Sequence, residues 1–420
     1  MVGLKHFSGK LYLPQAPLRE APKTNHVLNK GLFPKGANTI MKKSLIVLGV
    51  LFLSSCNDQA SLEQLVPIGT QTQRAAPLER NPSLVAKNII LFVGDGMGPN
   101  HVSLARLSIG GPSHRLSFEN FPITGIVYNH SFDNLYTDSA ASATTLATGV
   151  RTINGFVSVD SEKQLLPTIP ELLSTKGYVS GLVSTSSITH ATPASFYAHV
   201  DSRDKEVEIA SMLVESDVSI ALGGGTEYFD LTDLSSELHL VQSEAGLNLE
   251  ALSSKKRVLG LFAEDGLDRR DSPPTQATMT STAIQFLEQK SLNCPGFFLM
   301  SEGSQIDWGG HANNVEYMLS ESLDFDASVQ AAIEFAKQDK NTLVLVTADH
   351  ATGGLVLQKP SGSNVVAQWT TTNHDLSPIN IYAYGPGSEL FSGVMDNTEI
   401  FDRMLKALNY QNLDSDNCGD

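Results

Sequence analysis

The sequence predicts an α/β fold in which a central, mostly parallel β-sheet is sandwiched between helices. Three observations lead there. Several short runs, such as 88–94 and 342–347, are apolar throughout rather than alternating, which suits strands buried on both faces. Segments of helical period lie between those runs, and this alternation is the mark of a doubly wound sheet. From 88 to about 410 no internal repeat and no long low-complexity gap breaks the pattern, so residues 88–412 read as one domain.

The elements follow in chain order. Residues 1–40 look like neither leader nor core and read as an upstream extension outside the fold. Met41-Lys42-Lys43 then opens a second N-terminus, with an apolar run over 45–53 and Ser54-Ser55-Cys56 after it. Basic residues, a short apolar run and small residues in that order make 41–55 a signal peptide. The run is far shorter than the ~20 residues of a membrane span. Leu53-Ser54-Ser55-Cys56 is similar to a bacterial lipobox, which implies an exported protein anchored in the periplasm or cell envelope through lipid on Cys56. Residues 56–87 are polar and weakly patterned and read as a flexible tether. Strands are expected at 88–94, 178–184, 219–222, 296–300, 342–347 and 379–384, and the clearest helices at 166–176, 275–289, 314–338 and 397–408. Residues 413–420 form a polar tail.

Removing residues 1–55 takes the 29 basic and 45 acidic side chains to 21 and 44, a net charge of −23. Such a chain lacks the basic footprint of a nucleic-acid binder. It would also repel anionic substrates unless a local positive centre overrides the overall field. Lipidation leaves Cys294 and Cys418. A disulfide is permitted in an exported protein, but one lies in a turn near the core and the other in the polar tail, so pairing is not expected. No cysteine spacing suggests a zinc ribbon.

The chemistry gathers around Asp138-Ser139. The small-residue run 139–147 favours helix, and Gly149 supplies a stop. A hydroxyl at a helix N-terminus sits where backbone N–H groups favour an anion, so Ser139 is either a nucleophile toward phosphate or an N-cap. In open α/β sheets ligands bind beyond the carboxyl ends of the strands. Strand 88–94 ends in Asp95, 296–300 runs into Glu302, and 342–347 runs into Asp349-His350; Thr192 follows 178–184 within His190-Ala191-Thr192-Pro193. One strand-end acid is ordinary turn chemistry. Three converging on one edge repel each other unless a cation lies between them. Asp307 and His311 are four apart, and His374 precedes the last expected strand. Imidazole with carboxylate suits zinc, whereas Asp95, Thr192 and Glu302 offer only oxygens, which suits magnesium. His101, His114, His130, His199 and His239 read as surface or capped histidines. The Gly94–Gly98 stretch is a weak dinucleotide signal, and neither G-x-S-x-G nor a Walker A motif is present.

The motifs VGDGMG, TDSAASATTLATGVRTINGFVSVD, HATPASFYAHVDSR, ALGGGTEYF, SEGSQIDWGGHANN and VTADHATGG, with the His374 segment, resemble those of bacterial alkaline phosphatases in order and spacing from about 88 to 408. The resemblance implies a homodimeric phosphomonoesterase that works through a phosphoserine on Ser139. It implies one zinc held by Asp307, His311 and His374, a second by Asp349, His350 and Asp95, and a magnesium site of Asp95, Thr192 and Glu302. Arg203 would clamp phosphate, with Asp138 holding the arginine. Three divalent cations against four carboxylates leave a local positive centre in an acidic chain. His190 lies where some relatives carry Asp, so the third site could take zinc. Trp308 lies where some carry Lys or His, which implies weaker phosphate retention. A phosphodiesterase or sulfatase on the same scaffold is the second enzyme reading; the C/S-x-P-x-R setting of sulfatases is absent around Ser139. A lipid-anchored phosphate- or metal-binding protein without turnover would have no use for a nucleophile at 139.

Overall fold

Strand Asn88–Gly94 lies deep in the molecule because all seven of its residues are buried, which demands a neighbour on each side and a layer on each face. The computed structural model describes residues 63–70, 76–81, 83, 85–232, 234–268 and 274–413 and supplies those neighbours. A ten-stranded sheet runs in spatial order Gly393–Asp396, Ile123–Tyr128, Ile379–Tyr384, Thr342–Ala348, Asn88–Gly94, Phe297–Gly303, Val179–Ser187, Ile220–Gly224, Arg257–Leu261 and Leu238–Val241. All neighbours are parallel except Ile379–Tyr384, which is antiparallel to both of its partners. The six strands expected from sequence are all present. The four others carry weaker signals: Ile123–Tyr128, for example, alternates buried and exposed positions and has Gly125 in its middle.

The four expected helices appear as Ile169–Ser174, Gln276–Lys290, Val315–Asp339 and Thr398–Ala407. Three start where a side chain accepts from a free backbone N–H: Thr168 from Glu171, Thr275 from Thr278, and Asn314 from Tyr317. Phe325 of the long helix packs edge-on against Phe92 of the central strand, ring centres 5.9 Å apart, and fixes that helix to the sheet.

Two features depart from the sequence reading. Within the expected tether, Glu63–Pro67 is a strand, antiparallel to Asn364–Gln368 in a three-stranded sheet completed by Val356–Ser361. Val66 is buried there, so five residues suffice once a partner edge is available. Cys294 is disulfide-bonded, against the expectation that it stays free. Its partner lies outside the described residues, as do the leader, Cys56 and Cys418. No described helix is long and apolar enough to cross a membrane.

Candidate active site

Parallel register aligns the strand ends. Gly94 is opposite both Gly303 and Ala348, so Asp95, Glu302 and Asp349 arrive at one edge. All three carboxylates are fully buried. Both oxygens of Asp95, one of Asp349 and one of Glu302 have no hydrogen-bond partner among the described residues, and neither has the Thr192 hydroxyl. The remaining Asp349 oxygen accepts from Gly96 N (3.1 Å) and His350 N (2.8 Å). The remaining Glu302 oxygen accepts from Ser184 (2.7 Å) and Ser304 (2.6 Å).

Ser139 lies at the centre of this edge. The helix Ser139–Thr148 is capped by Asp138, whose Oδ1 accepts from Ala141 N, and it closes on Gly149 in the left-handed region. The capping duty therefore falls to Asp138, and Ser139 is the first helical residue, which removes the N-cap reading. Its Oγ lies 3.3 Å from His350 Nε2. The same nitrogen is 3.2 Å from Asp349 Oδ2 and 3.4 Å from Asp95 Oδ1. Zinc bonds of about 2 Å at tetrahedral angles place ligand atoms roughly 3.3 Å apart, so this group has the spacing of a coordination shell.

The second group shares a wall with the first. Asp307 and His311 lie on the short helix Gln305–His311, one turn apart, with His311 Nε2 3.2 Å from Asp307 Oδ2. His374 Nε2 is 3.7 Å from Asp307 Oδ1, and its ring stacks on His350 at 3.5 Å. The outer nitrogens are held by carbonyls: His311 Nδ1 donates to Thr372 O (2.6 Å) and His374 Nδ1 to Thr137 O (2.8 Å). That fixes the tautomer and turns a lone pair on Nε2 inward, as metal-binding imidazoles require. Ligand atoms of Asp307, His350 and His374, and likewise of Asp95, Asp349 and His350, lie within 4.8 Å of one another.

Electrostatics points the same way. Burial pushes the Asp95 carboxyl well up, with Asp349, Asp307 and Glu302 adding to it. Burial also lifts Glu302 to about 7 and Asp349 to about 6. Burial acts upward on Asp307 as well, but His311 and the other nearby imidazoles hold it below the usual range. Four carboxylates in so small a dry volume need positive charge among them. The unpartnered oxygens and inward-facing imidazoles fit divalent cations.

Arg203 closes the other side. Its Nη1 donates to Asp138 Oδ2 (3.2 Å) and its Nη2 to His190 Nε2 (3.1 Å). The His190 ring lies 6.1 Å from that of Trp308. Burial, and then the Arg203 charge, lower His190 to about 3, so it accepts as a neutral ring.

A family profile described as alkaline phosphatase matches residues 86–368 and 357–410. This chain belongs to the alkaline phosphatase family. It is 33% identical to alkaline phosphatase 4 of Bacillus subtilis over 80% of this chain and 92% of that protein. It is 32% identical to the alkaline phosphatase of Escherichia coli over 81% and 89%. The alkaline phosphatase of the Antarctic bacterium TAB5 superposes with a TM-score of 0.72 at 36% identity, covering 78% of this chain and 99% of that one. A variant of the Antarctic enzyme with one histidine changed to glutamate has magnesium bound (TM-score 0.70, 35% identity, 78% and 99% covered).

Of the residues expected from sequence in this alkaline phosphatase-family chain, the contacts above bring Asp95, Asp138, Ser139, His190, Arg203, Asp307, Trp308, His311, Asp349, His350 and His374 together, with Glu302 at the same strand edge, while Thr192 is buried with its hydroxyl unpartnered. Sequence reasoning missed Thr352, which donates to Asp307 and meets His350 Nδ1 at 3.2 Å, and the serine pair around Glu302. Only Thr352 left a signal: two residues past His350 on an extended segment, it falls on the same face.

Proposed function

We propose that this alkaline phosphatase hydrolyses phosphate monoesters through a phosphoserine at Ser139, beside two zincs and one magnesium. The observation that carries the reading is the Ser139 hydroxyl aimed into a buried carboxylate–imidazole cage at a helix N-terminus. Asp307, His311 and His374 would hold one zinc, Asp95, Asp349 and His350 the other, and Asp95, Thr192 and Glu302 the magnesium. Divalent cations, when bound, supply charge for the attacking and leaving oxygens and make hydroxyls more acidic.

The residues then divide the work. Arg203 binds two phosphate oxygens through its planar fork, and Asp138 and His190 hold that fork in place. The helix N-terminus adds attraction for the anion. Ser139 Oγ forms a bond to phosphorus while the ester P–O bond breaks and the alcohol departs with a proton; water then cleaves the phosphoserine. Ser139→Ala should abolish turnover of p-nitrophenyl phosphate and leave zinc content unchanged; surviving turnover would refute the mechanism. Faster turnover of the bis ester than of the monoester would instead favour a phosphodiesterase. His190 beside the third site leaves zinc as an alternative to magnesium there, and metal analysis after purification with both ions available decides it.

Export with a lipid on Cys56 remains part of this reading, and mass spectrometry of the mature N-terminus tests it. So does homodimerisation. Ile126 and Val394 are exposed and directly paired in register, and Tyr128 lies beside them, an apolar surface at the free edge of the sheet. Sedimentation of the wild type against Ile126→Lys measures its contribution.

A further inference from the structure

We propose that Gln64, on the N-terminal strand, is a positioning residue for the Asp307–His311–His374 metal site. The inference rests on the zinc reading above. The helix carrying Asp307 and His311 ends at His311, and the next helix begins at Val315. Three residues turn the chain between them, and Asn313 adopts φ +49° to do so. Val315 N–H is one of the donors that a helix start leaves without an internal partner, and the Asn313 carbonyl belongs to neither helix. The Gln64 amide serves both. Its Nε2 donates to Asn313 O at 2.7 Å, and Val315 N donates to its Oε1 at 2.9 Å. Two bonds to one planar amide fix the orientation of the turn as well as its distance.

Gln64 is placed by its strand, where it lies opposite Ala367. The partner strand runs on through the buried Trp369 to Thr372, whose carbonyl grips His311 Nδ1, and then to His374. The Asn313 side-chain amide, turned with its nitrogen toward the carbonyls, reaches Gly310 O (2.9 Å) and Thr371 O (2.8 Å) across the same gap. His311 is thus held twice: its ring by the chain that runs on from the partner strand, and its helix end by a side chain from the N-terminal strand. Of the two groups of ligands, only the one containing His311 depends on this turn.

The test uses full-length holoenzyme with Gln64→Ala and with Gln64→Met, which keeps the size and removes both hydrogen bonds. Zinc release to a chromophoric chelator is followed in time, and zinc per chain is counted. One of the two zincs should leave roughly tenfold faster, the low end of what outer-shell changes cost a metal site, while the second leaves at the wild-type rate. Lost turnover should return when zinc is saturating. Leu65→Ser, an exposed neighbour on the same strand, should release zinc as the wild type does. Release within twofold of wild type for both Gln64 variants overturns the proposal. So does equal acceleration of both zincs, or a turnover loss that zinc does not restore, since either marks general loosening. A wild-type protein that holds no zinc would instead refute the metal reading itself.

Discussion

Replacing Asp138 separates its two duties. Oδ1 accepts from Ala141 N at 2.9 Å and caps the serine helix; Oδ2 accepts from Gly155 N at 3.0 Å and Arg203 Nη1 at 3.2 Å. In Asp138→Ala all three bonds go. The cap is worth about 1 kcal/mol, the neutral backbone bond about 1, and the bond to the charged arginine about 1.5–3. The ion pair is mostly buried, with the two side chains 19% and 25% exposed, so screening takes only part of the last figure. The alanine variant should therefore lose about 3 kcal/mol. Asp138→Asn can keep the cap, but its Nδ2 then faces two donors; it should lose about 2 kcal/mol. Activity should not follow that difference, because both variants free the guanidinium to swing, and a misplaced clamp costs on the order of 100-fold. Thermal and denaturant unfolding, read beside kcat/KM for p-nitrophenyl phosphate, give both numbers. Equal stability of the two variants would show that the side chain is not the cap. A kcat/KM within twofold of wild type in both would show that Asp138 does not orient Arg203.

Gly96→Ala should cripple the site: φ is +66°, and a Cβ would lie 2.7 Å from Thr352 Oγ1 and 2.8 Å from Asp307 Oδ1, so strain of roughly 1–3 kcal/mol falls on Asp307, which the proposal makes a zinc ligand; unchanged zinc content and kcat/KM would contradict this. Both His199 nitrogens face acceptors, Ser158 O at 2.8 Å and Glu171 Oε1 at 2.9 Å. Burial lowers His199, but those partners outweigh it and raise its pKa; burial likewise raises Glu171, but His199 and the Thr168 bonds outweigh it and lower its pKa. A raised histidine stabilises below about 6.5 and loses its effect as pH climbs through its folded value, and a lowered glutamate loses its effect as pH falls below about 4.5. The unfolding advantage of wild type over Glu171→Gln should therefore be greatest between those values and shrink toward pH 9; a flat difference refutes the pairing. Trp308→Lys should tighten inhibition by inorganic phosphate about tenfold, or ~1.4 kcal/mol; an unchanged inhibition constant rules out the contact. Stripping metal with a chelator should lower the unfolding temperature by roughly 10 °C, because Asp95, Asp349, Asp307 and Glu302 stay buried together; an unaltered transition would mean that cations do not neutralise them.

The sheet's interior was legible because Asn88–Gly94, Phe297–Gly303 and Thr342–Ala348 are buried on both faces and carry uninterrupted apolar runs. Its margins were not: Arg257–Leu261 opens on a charge and is broken by Gly260, and Leu238–Val241 is broken by His239. Asp95, Glu302 and Asp349 could be read as a site because parallel strands deliver their ends to one edge whatever the loops do. The supports could not. Thr137 and Thr372 act through carbonyls, which carry no side-chain signature, and Ser184 reaches Glu302 across 118 positions.

Because Asp138 carries the cap, position 139 owes the helix nothing but a helical backbone. The hydroxyl proposed as the nucleophile is a fitting on a mount made by its neighbour. Such a mount tolerates exchange: alanine or cysteine can stand at 139 without first unmaking the scaffold around it. A lineage built on this chain could therefore explore new reactivities at that one position while remaining folded at every step.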